Sequence, residues 1–201
     1  MGARRDQNSP MHRHRRLLGV VSVLALLWAV FRVTGLAERV DPQMLHDAFE
    51  RHRVSGLLLF TALFALGNLI QLPGWIFLTA AVAALGQWWG GLATYLAASV
   101  SCVVTFWSVR GIGGNALRGF GGRGAARLFA RLDAHPVQSV LLLRLMFQTL
   151  PALNIALALS GVRFGSYLLG TLLGLPLPIA LYSVFFHALA RWLHWPLPGA
   201  G

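Results

Sequence analysis

The apolar runs of this chain are cut by prolines into arms too short to cross a bilayer, and this restricts its folds more than any other feature. Val54 to Leu85 is apolar but broken at Pro73-Gly74. The arm after the break, Trp75 to Leu85, holds 11 residues. At ~1.5 Å per residue it rises about 16 Å, half of a ~30 Å hydrocarbon core. Two full crossings do not fit there, whereas a helical hairpin that enters and leaves by the same side does. The non-helical apex of such a hairpin survives in a bilayer only when buried in protein or lining a wet cavity. Pro136 to Val162 repeats the pattern: an apolar arm, a break at Leu150-Pro151, a short second arm.

The rest of the chain fits the same class. Hydrophobic residues make up 56% and charged residues 11%, which indicates an all-α integral membrane protein with several passes. The 201 residues leave room for one membrane domain and no sizeable soluble core. Residues 1–16 read as a disordered basic cytoplasmic tail. Residues 17–33 read as a first transmembrane anchor rather than a signal peptide, because no small-x-small cleavage site follows. Asp41-Pro42 looks like a helix N-cap followed by Pro at the first helical position. Met44, Leu45, Ala48 and Phe49 then share one face, as on an interfacial helix, or else the segment is a charged linker. Gly90 to Val109 is a full span ending at Arg110, and Phe164 to Ala188 is the last, kinked by Pro176 and Pro178. The membrane domain thus covers 41–188, and 189–201 form a short tail with Trp192 and Trp195 at the interface.

Charge sets the topology. The net charge is +11, and all 17 basic residues are arginine. A nucleic-acid reading needs a soluble basic face, which these apolar runs exclude. Five arginines lie in 1–16, and after Arg110 a Gly-rich stretch holding Arg118 leads into Arg123, Arg127 and Arg131. By the positive-inside rule both segments are cytoplasmic, and the latter four arginines suit anionic lipid headgroups. An even number of crossings must separate them, and the 17–33 and Gly90 spans supply two. The lone Cys102 allows no internal disulfide. His187 and His194, seven apart, suit an interface better than a metal. No Ser/His/Asp or Cys/His set argues for an enzyme, and no nucleotide-binding loop or other cofactor signature is present.

The two broken hairpins lead into similar sequences. Gly86-Gln-Trp-Trp-Gly90 follows the first and Gly161-Val-Arg-Phe-Gly165 the second, each opening a long span. If the charges place one hairpin outside and the other inside, the pair forms an inverted repeat of two opposed Pro-broken re-entrant hairpins, a transporter architecture. Small residues four apart also arise from ordinary packing between membrane helices.

Arg144 lies within Val140-Leu-Leu-Leu-Arg-Leu-Met-Phe147. A charge at a helix centre in the membrane costs roughly 2.5–3.5 kcal/mol even on lenient scales. A guanidinium there can bind a phosphate in two-pronged fashion and never deprotonates. Its acceptors would be Gln148 one turn on, free carbonyls at the hairpin break, or a lipid phosphate; alternatively the side chain snorkels to the cytoplasmic interface. Asn68, Gln71 and Asn154 complete a polar patch, or hydrogen-bond across helices. Arg110 anchors headgroups or joins the site. Pro73, Gly74, Pro151, Gly86 and Gly161 act as hinges.

Taken in order, these motifs resemble the DedA / SNARE-associated Golgi protein superfamily, the VTT-domain proteins. The pieces are Pro73-Gly74 through Gly86 and Gly90; Phe106-Trp-Ser-Val-Arg110; Arg144, Pro151, Asn154 and Gly161; and Thr171-Leu-Leu-Gly174 with Pro176. The resemblance leans to the eukaryote-like bacterial branch. The branch with two close arginines has a second one near Leu150, and Phe147 stands where a Pro usually follows the Arg. The resemblance implies a multi-pass protein of the bacterial inner (plasma) membrane that moves phospholipid or polyprenyl-phosphate. The expected function is therefore a lipid or lipid-phosphate translocase, scramblase- or flippase-like, with homo-oligomers possible. A proton- or ion-coupled small-solute transporter is the alternative; none of the six acids (Asp6, Glu38, Asp41, Asp47, Glu50, Asp133) lies in an apolar run. A non-transporting membrane organiser is the third reading.

Overall fold

A computed structural model of the protein describes residues 53–114, 117, 123–147, 150 and 152–193, together with 18, 19, 22 and 29. The tail 1–16, nearly all of the 17–33 anchor, the Asp41–Glu50 segment, Arg118, Gln148, Pro151, His194 and Trp195 lie outside the described residues. The described residues are helical with short turns, and none forms a strand.

The seven helices described from residue 53 onward are α1 (Arg53–Leu69), α2 (Gly74–Gly113), α3 (Arg123–Ala134), α4 (Pro136–Phe147), α5 (Ala152–Leu159), α6 (Phe164–Gly174) and α7 (Pro176–Trp192). Among the described residues, two helical stretches, Gly74–Gly113 and Phe164–Trp192, are long and apolar enough to cross a membrane.

Each break has a local cause. Pro73 cannot donate a backbone hydrogen bond, and with φ −62° and ψ 130° it caps α2 from extended geometry. Just before it, Gln71 turns the chain at φ 65°, and its side chain donates back to the Asn68 carbonyl at 3.1 Å. The 40-residue α2 is not one rod: Gly86 at φ 79°, ψ 175° is non-helical. That conformation is open essentially to glycine alone. The chain doubles back there. A Cβ on Gly90 would meet the Ala81 carbonyl oxygen at 2.6 Å, whereas residues nine apart on a straight helix lie about 13.5 Å apart. Residues 74–85 are therefore a short arm packed against both α1 and the helix that follows. That helix runs from 87 to 113, past the expected end at Arg110; Gly111 and Gly113 keep helical geometry, and the helix stops at Gly114 at φ 56°, whose N–H returns to the Arg110 carbonyl.

The second half repeats this order of parts. α4 is followed by a break, the short α5, Gly161 at φ 85°, and then α6 and α7. α6 and α7 meet at Leu175, where Pro176 opens α7; the sequence reads as one span to Ala188 kinked by Pro176 and Pro178, and the helical stretch runs on to Trp192.

Two apolar clusters hold the halves. Phe60, Phe64 and Phe77 of α1 and α2 stack beside Ala81, Val82, Leu175 and Ile179, with ring centroids 4.8–6.4 Å apart. Phe106, Val109, Val140, Leu157 and Tyr167 form the other cluster. α4 and α6 approach closely because glycines face α4. A Cβ on Gly174 would sit 2.8 Å from the Arg144 Cβ. Small residues spaced four apart let membrane helices meet backbone to backbone, and this contact carries Arg144 under α6.

Candidate functional site: a buried arginine in a polar seam

Arg144 is 2% exposed. It sits eight residues into α4, about 12 Å of rise from Pro136, and its side chain turns inward to α2 and α6 rather than outward. The Nη2 donates to the Cys102 Sγ at 3.3 Å, the Tyr167 hydroxyl at 3.1 Å and the Thr171 Oγ1 at 3.3 Å. Two hydrogens on one nitrogen are thus shared among three neutral acceptors. Nε has no hydrogen-bond partner among the described residues, and no carboxylate there pairs with the guanidinium. An unsatisfied buried donor costs about 1–3 kcal/mol, more when charged. Arg144 is held in place but underused.

The acceptors follow from helix period. Ser101, Cys102 and Thr105 are all buried on α2, with Thr105 one turn on from the adjacent Ser101 and Cys102. Tyr167 and Thr171 likewise stand one turn apart on α6, both fully buried. The Tyr167 hydroxyl donates onward to the Cys102 carbonyl at 3.1 Å.

From Cys102 the seam continues across the molecule. Its thiol reaches Asn154 Oδ1 at 3.5 Å. Asn154 Nδ2 donates to Asn68 Oδ1 at 2.8 Å. Asn68 Nδ2 then donates to Ser101 Oγ at 2.8 Å and Thr105 Oγ1 at 3.1 Å. The two asparagines come from either side of the two chain breaks, so their bond ties the halves together. Asn68, Ser101, Cys102, Thr105, Arg144, Asn154, Tyr167 and Thr171 are all buried, and hydrogen bonds linked in this way polarise one another.

Of the residues singled out from sequence, Arg144, Asn154 and Asn68 come together here. Gln71 stays at its own turn. Arg110 goes elsewhere: its Nη1 donates to the Ala158 carbonyl at 2.7 Å and its Nη2 to that of Val162. One carbonyl in the last turn of α5 and one just beyond it thus engage Arg110, whereas Arg144 takes side chains. The Arg110 guanidinium also lies over the Phe106 ring, 4.9 Å from its centroid, and Phe106 packs on Tyr167 at 4.6 Å. Tyr167 in turn has the Arg144 guanidinium 5.5 Å from its ring centroid. Gly86 marks a reversal, Gly161 sits at φ 85° in the turn between α5 and α6, and Pro73 and Gly74 open α2. Arg127 and Arg131 are exposed on α3; Arg123 begins that helix. His187 is half-buried, and its Nδ1 has no partner among the described residues.

Sequence reading passed over Ser101, Thr105, Tyr167 and Thr171 as site residues. The available signal was their spacing: hydroxyls recurring at one helical turn inside apolar runs, opposite an arginine with no acid to meet it.

The family model described as the VTT domain matches residues 72–188. Comparison with curated proteins and with solved structures returned no match.

Proposed function

Taking as premise that the chain belongs to the DedA / SNARE-associated Golgi protein family, whose VTT domain it carries over 72–188, we propose that it is a membrane lipid or lipid-phosphate translocase in which Arg144 meets the travelling phosphate. The observation that carries this reading is the state of Arg144: buried, permanently charged, and, among the described residues, without a carboxylate and without a partner at Nε. A phosphate can accept two parallel N–H bonds from such a fork. The lipid tail never needs to leave the hydrocarbon.

The two broken units supply the path. α1 with the 74–85 arm and α4 with α5 are two re-entrant hairpins entering from opposite faces, an inverted repeat. Supporting this are the paired positive-φ glycines Gly86 and Gly161 and the Asn68–Asn154 bond between the hairpins. Half-helices from inverted repeats that meet near the midplane serve anionic substrates in other transporters. The exposed Arg127 and Arg131 suit anionic headgroups on the cytoplasmic face of a bacterial plasma membrane, with the N-terminus on that side. No chemical step is involved.

The test is lipid transfer in reconstituted vesicles. Arg144→Ala is expected to bring transfer down to the protein-free rate while the protein still inserts. Arg144→Lys should keep part of it, since an ammonium lacks the planar fork. Wild-type rates in Arg144→Ala would overturn the reading.

A further inference from the structure

The helices fall into two packed groups, and the second hairpin is divided between them. α1, α5 and α7 each pack on α2, whereas α4 packs on α6. α5 rests mainly on α2 and touches its own hairpin arm α4 little. We propose that the molecule opens by α4 and α6 swinging away from α2 as one unit, while α5 stays behind because Arg110 fastens it to α2. Arg110 is then a positioning residue, and the movement does not depend on what is carried.

The bonds inside each group are firm. Arg110 donates to the carbonyls of Ala158 and Val162, and bonds from a charged donor are about twice as strong as neutral ones. At the start of α5, Asn154 donates to Asn68 of α1 at 2.8 Å. α5 is thereby held at both ends by the α1–α2 group. In the other group, α4 and α6 meet with no room for a side chain between them. A Cβ on Gly170 would lie 2.8 Å from the Val137 carbonyl oxygen, and one on Gly174 2.8 Å from the Arg144 Cβ. Arg144 also donates to Tyr167 and Thr171 of α6, so it travels with them.

Across the boundary the ties are softer. Arg144 Nη2 reaches the Cys102 Sγ at 3.3 Å, and the Tyr167 hydroxyl reaches the Cys102 carbonyl at 3.1 Å. A thiol is a weak acceptor. Beside these bonds, Phe106 and Trp107 of α2 lie against Phe164 and Tyr167 of α6, with ring centroids 4.6–5.4 Å apart. Such ring contacts can slide or part without stranding a polar group.

The pivot lies at Pro176. A proline has no N–H for the carbonyl four residues back, here that of Leu172. That carbonyl accepts the Tyr95 hydroxyl at 3.2 Å instead. Leu175 beside it is buried in the cluster of Phe60, Phe64 and Phe77, which anchors the bend to the α1–α2 group. A few residues at the end of an element can absorb a hinge motion. Cys102 lies seven residues beyond Tyr95 on α2, about 10 Å along the axis. A swing about this pivot therefore separates Arg144 from Cys102 and is widest at Phe164.

The experiment measures distances between pairs of spin labels by pulsed electron paramagnetic resonance, on the full chain in lipid nanodiscs. One label is placed by Val100→Cys on α2. Its partner is placed by Met146→Cys on α4, Leu169→Cys on α6 or Ala152→Cys on α5, all exposed positions. Cys102→Ser removes the native thiol and keeps a hydroxyl at the boundary; Cys102→Ala with Tyr167→Phe removes both ties. On going from the first background to the second, the distances from α2 to α4 and to α6 are expected to lengthen together by about 2–5 Å, and the distance to α5 to stay fixed. Adding Arg110→Ala should lengthen the distance to α5 as well, and Arg110→Lys should keep it short. Lengthening to α5 together with α4 while Arg110 is intact means that the hairpin moves as one piece and overturns the proposal. No change in any distance overturns it too. A distance to α5 that ignores Arg110→Ala overturns the role of Arg110. Each variant is checked for the wild-type gel-filtration profile. Should the double variant fail to fold, Tyr167→Phe with Cys102→Ser is read for the same direction of change. No lipid transfer is measured, so these outcomes leave the translocase reading to its own test.

Discussion

Arg144 shows how far a single side chain can organise its surroundings without being neutralised. Its three acceptors are neutral, and they come from two helices distant in sequence. The Asn68–Asn154 pair beside it is one of several direct polar links between the halves. A double-mutant cycle on this pair, read as thermal stability in detergent, is expected to give a coupling of about 0.6–1.7 kcal/mol, the range for hydrogen bonds between membrane helices. Zero coupling would mean that the bond does not hold the halves together. Gly174→Ala is expected to cost about 1–3 kcal/mol, because the new methyl would press the Arg144 Cβ and the neighbouring α4 backbone. The single thiol offers a direct probe of the closed seam. Cys102 is buried and should resist a water-soluble maleimide until the protein is denatured; rapid labelling of the native protein would show an open seam. Arg144, Asn68 and Asn154 stood out in the sequence because polar groups are costly in apolar runs. Their partners did not, since a Ser, Thr or Tyr on a membrane helix signals nothing until the opposing helix is known.

The short arms are stable only through what surrounds them. α5 has eight residues, below the length at which a helix holds itself in isolation. Its ends are tied by Asn154 on one side and by Arg110 at the carbonyls of Ala158 and Val162 on the other. Arg110 complements the negative end of the helix dipole there. Gly86→Ala forces a Cβ into a backbone region reserved for glycine and is expected to cost about 1–3 kcal/mol, measured as a fall in melting temperature. The prolines announced these breaks in the sequence. Chain reversal at Gly86 was less plain, because an isolated glycine in an apolar helix reads equally well as a packing contact, and only its positive φ separates the two. The attachment of Arg110 to the α5 carbonyls was invisible, since it joins positions 48 and 52 residues apart.

The halves share one order of parts, and their proposed insertion from opposite faces has a topological consequence. Cysteines at Val54 and Trp88, both well exposed, should label from the outer face, and one at Arg131 from the cytoplasmic face. A cysteine at Leu72, at the apex of the first unit, should label from neither. Labelling of position 72 from the cytoplasm would mean a full crossing instead of a re-entrant hairpin. Composition and proline spacing were enough to establish a helical membrane protein, the breaks in its runs and the arginine that had to be accommodated, because the costs of burying charge and unpaired backbone in hydrocarbon are local. The identity of that arginine's partners, the destination of Arg110 and the closure of the seam across both halves arose only on folding. They depend on which faces meet when glycines let α4 and α6 come together, and pairwise contact between remote segments leaves no periodic mark on a single chain.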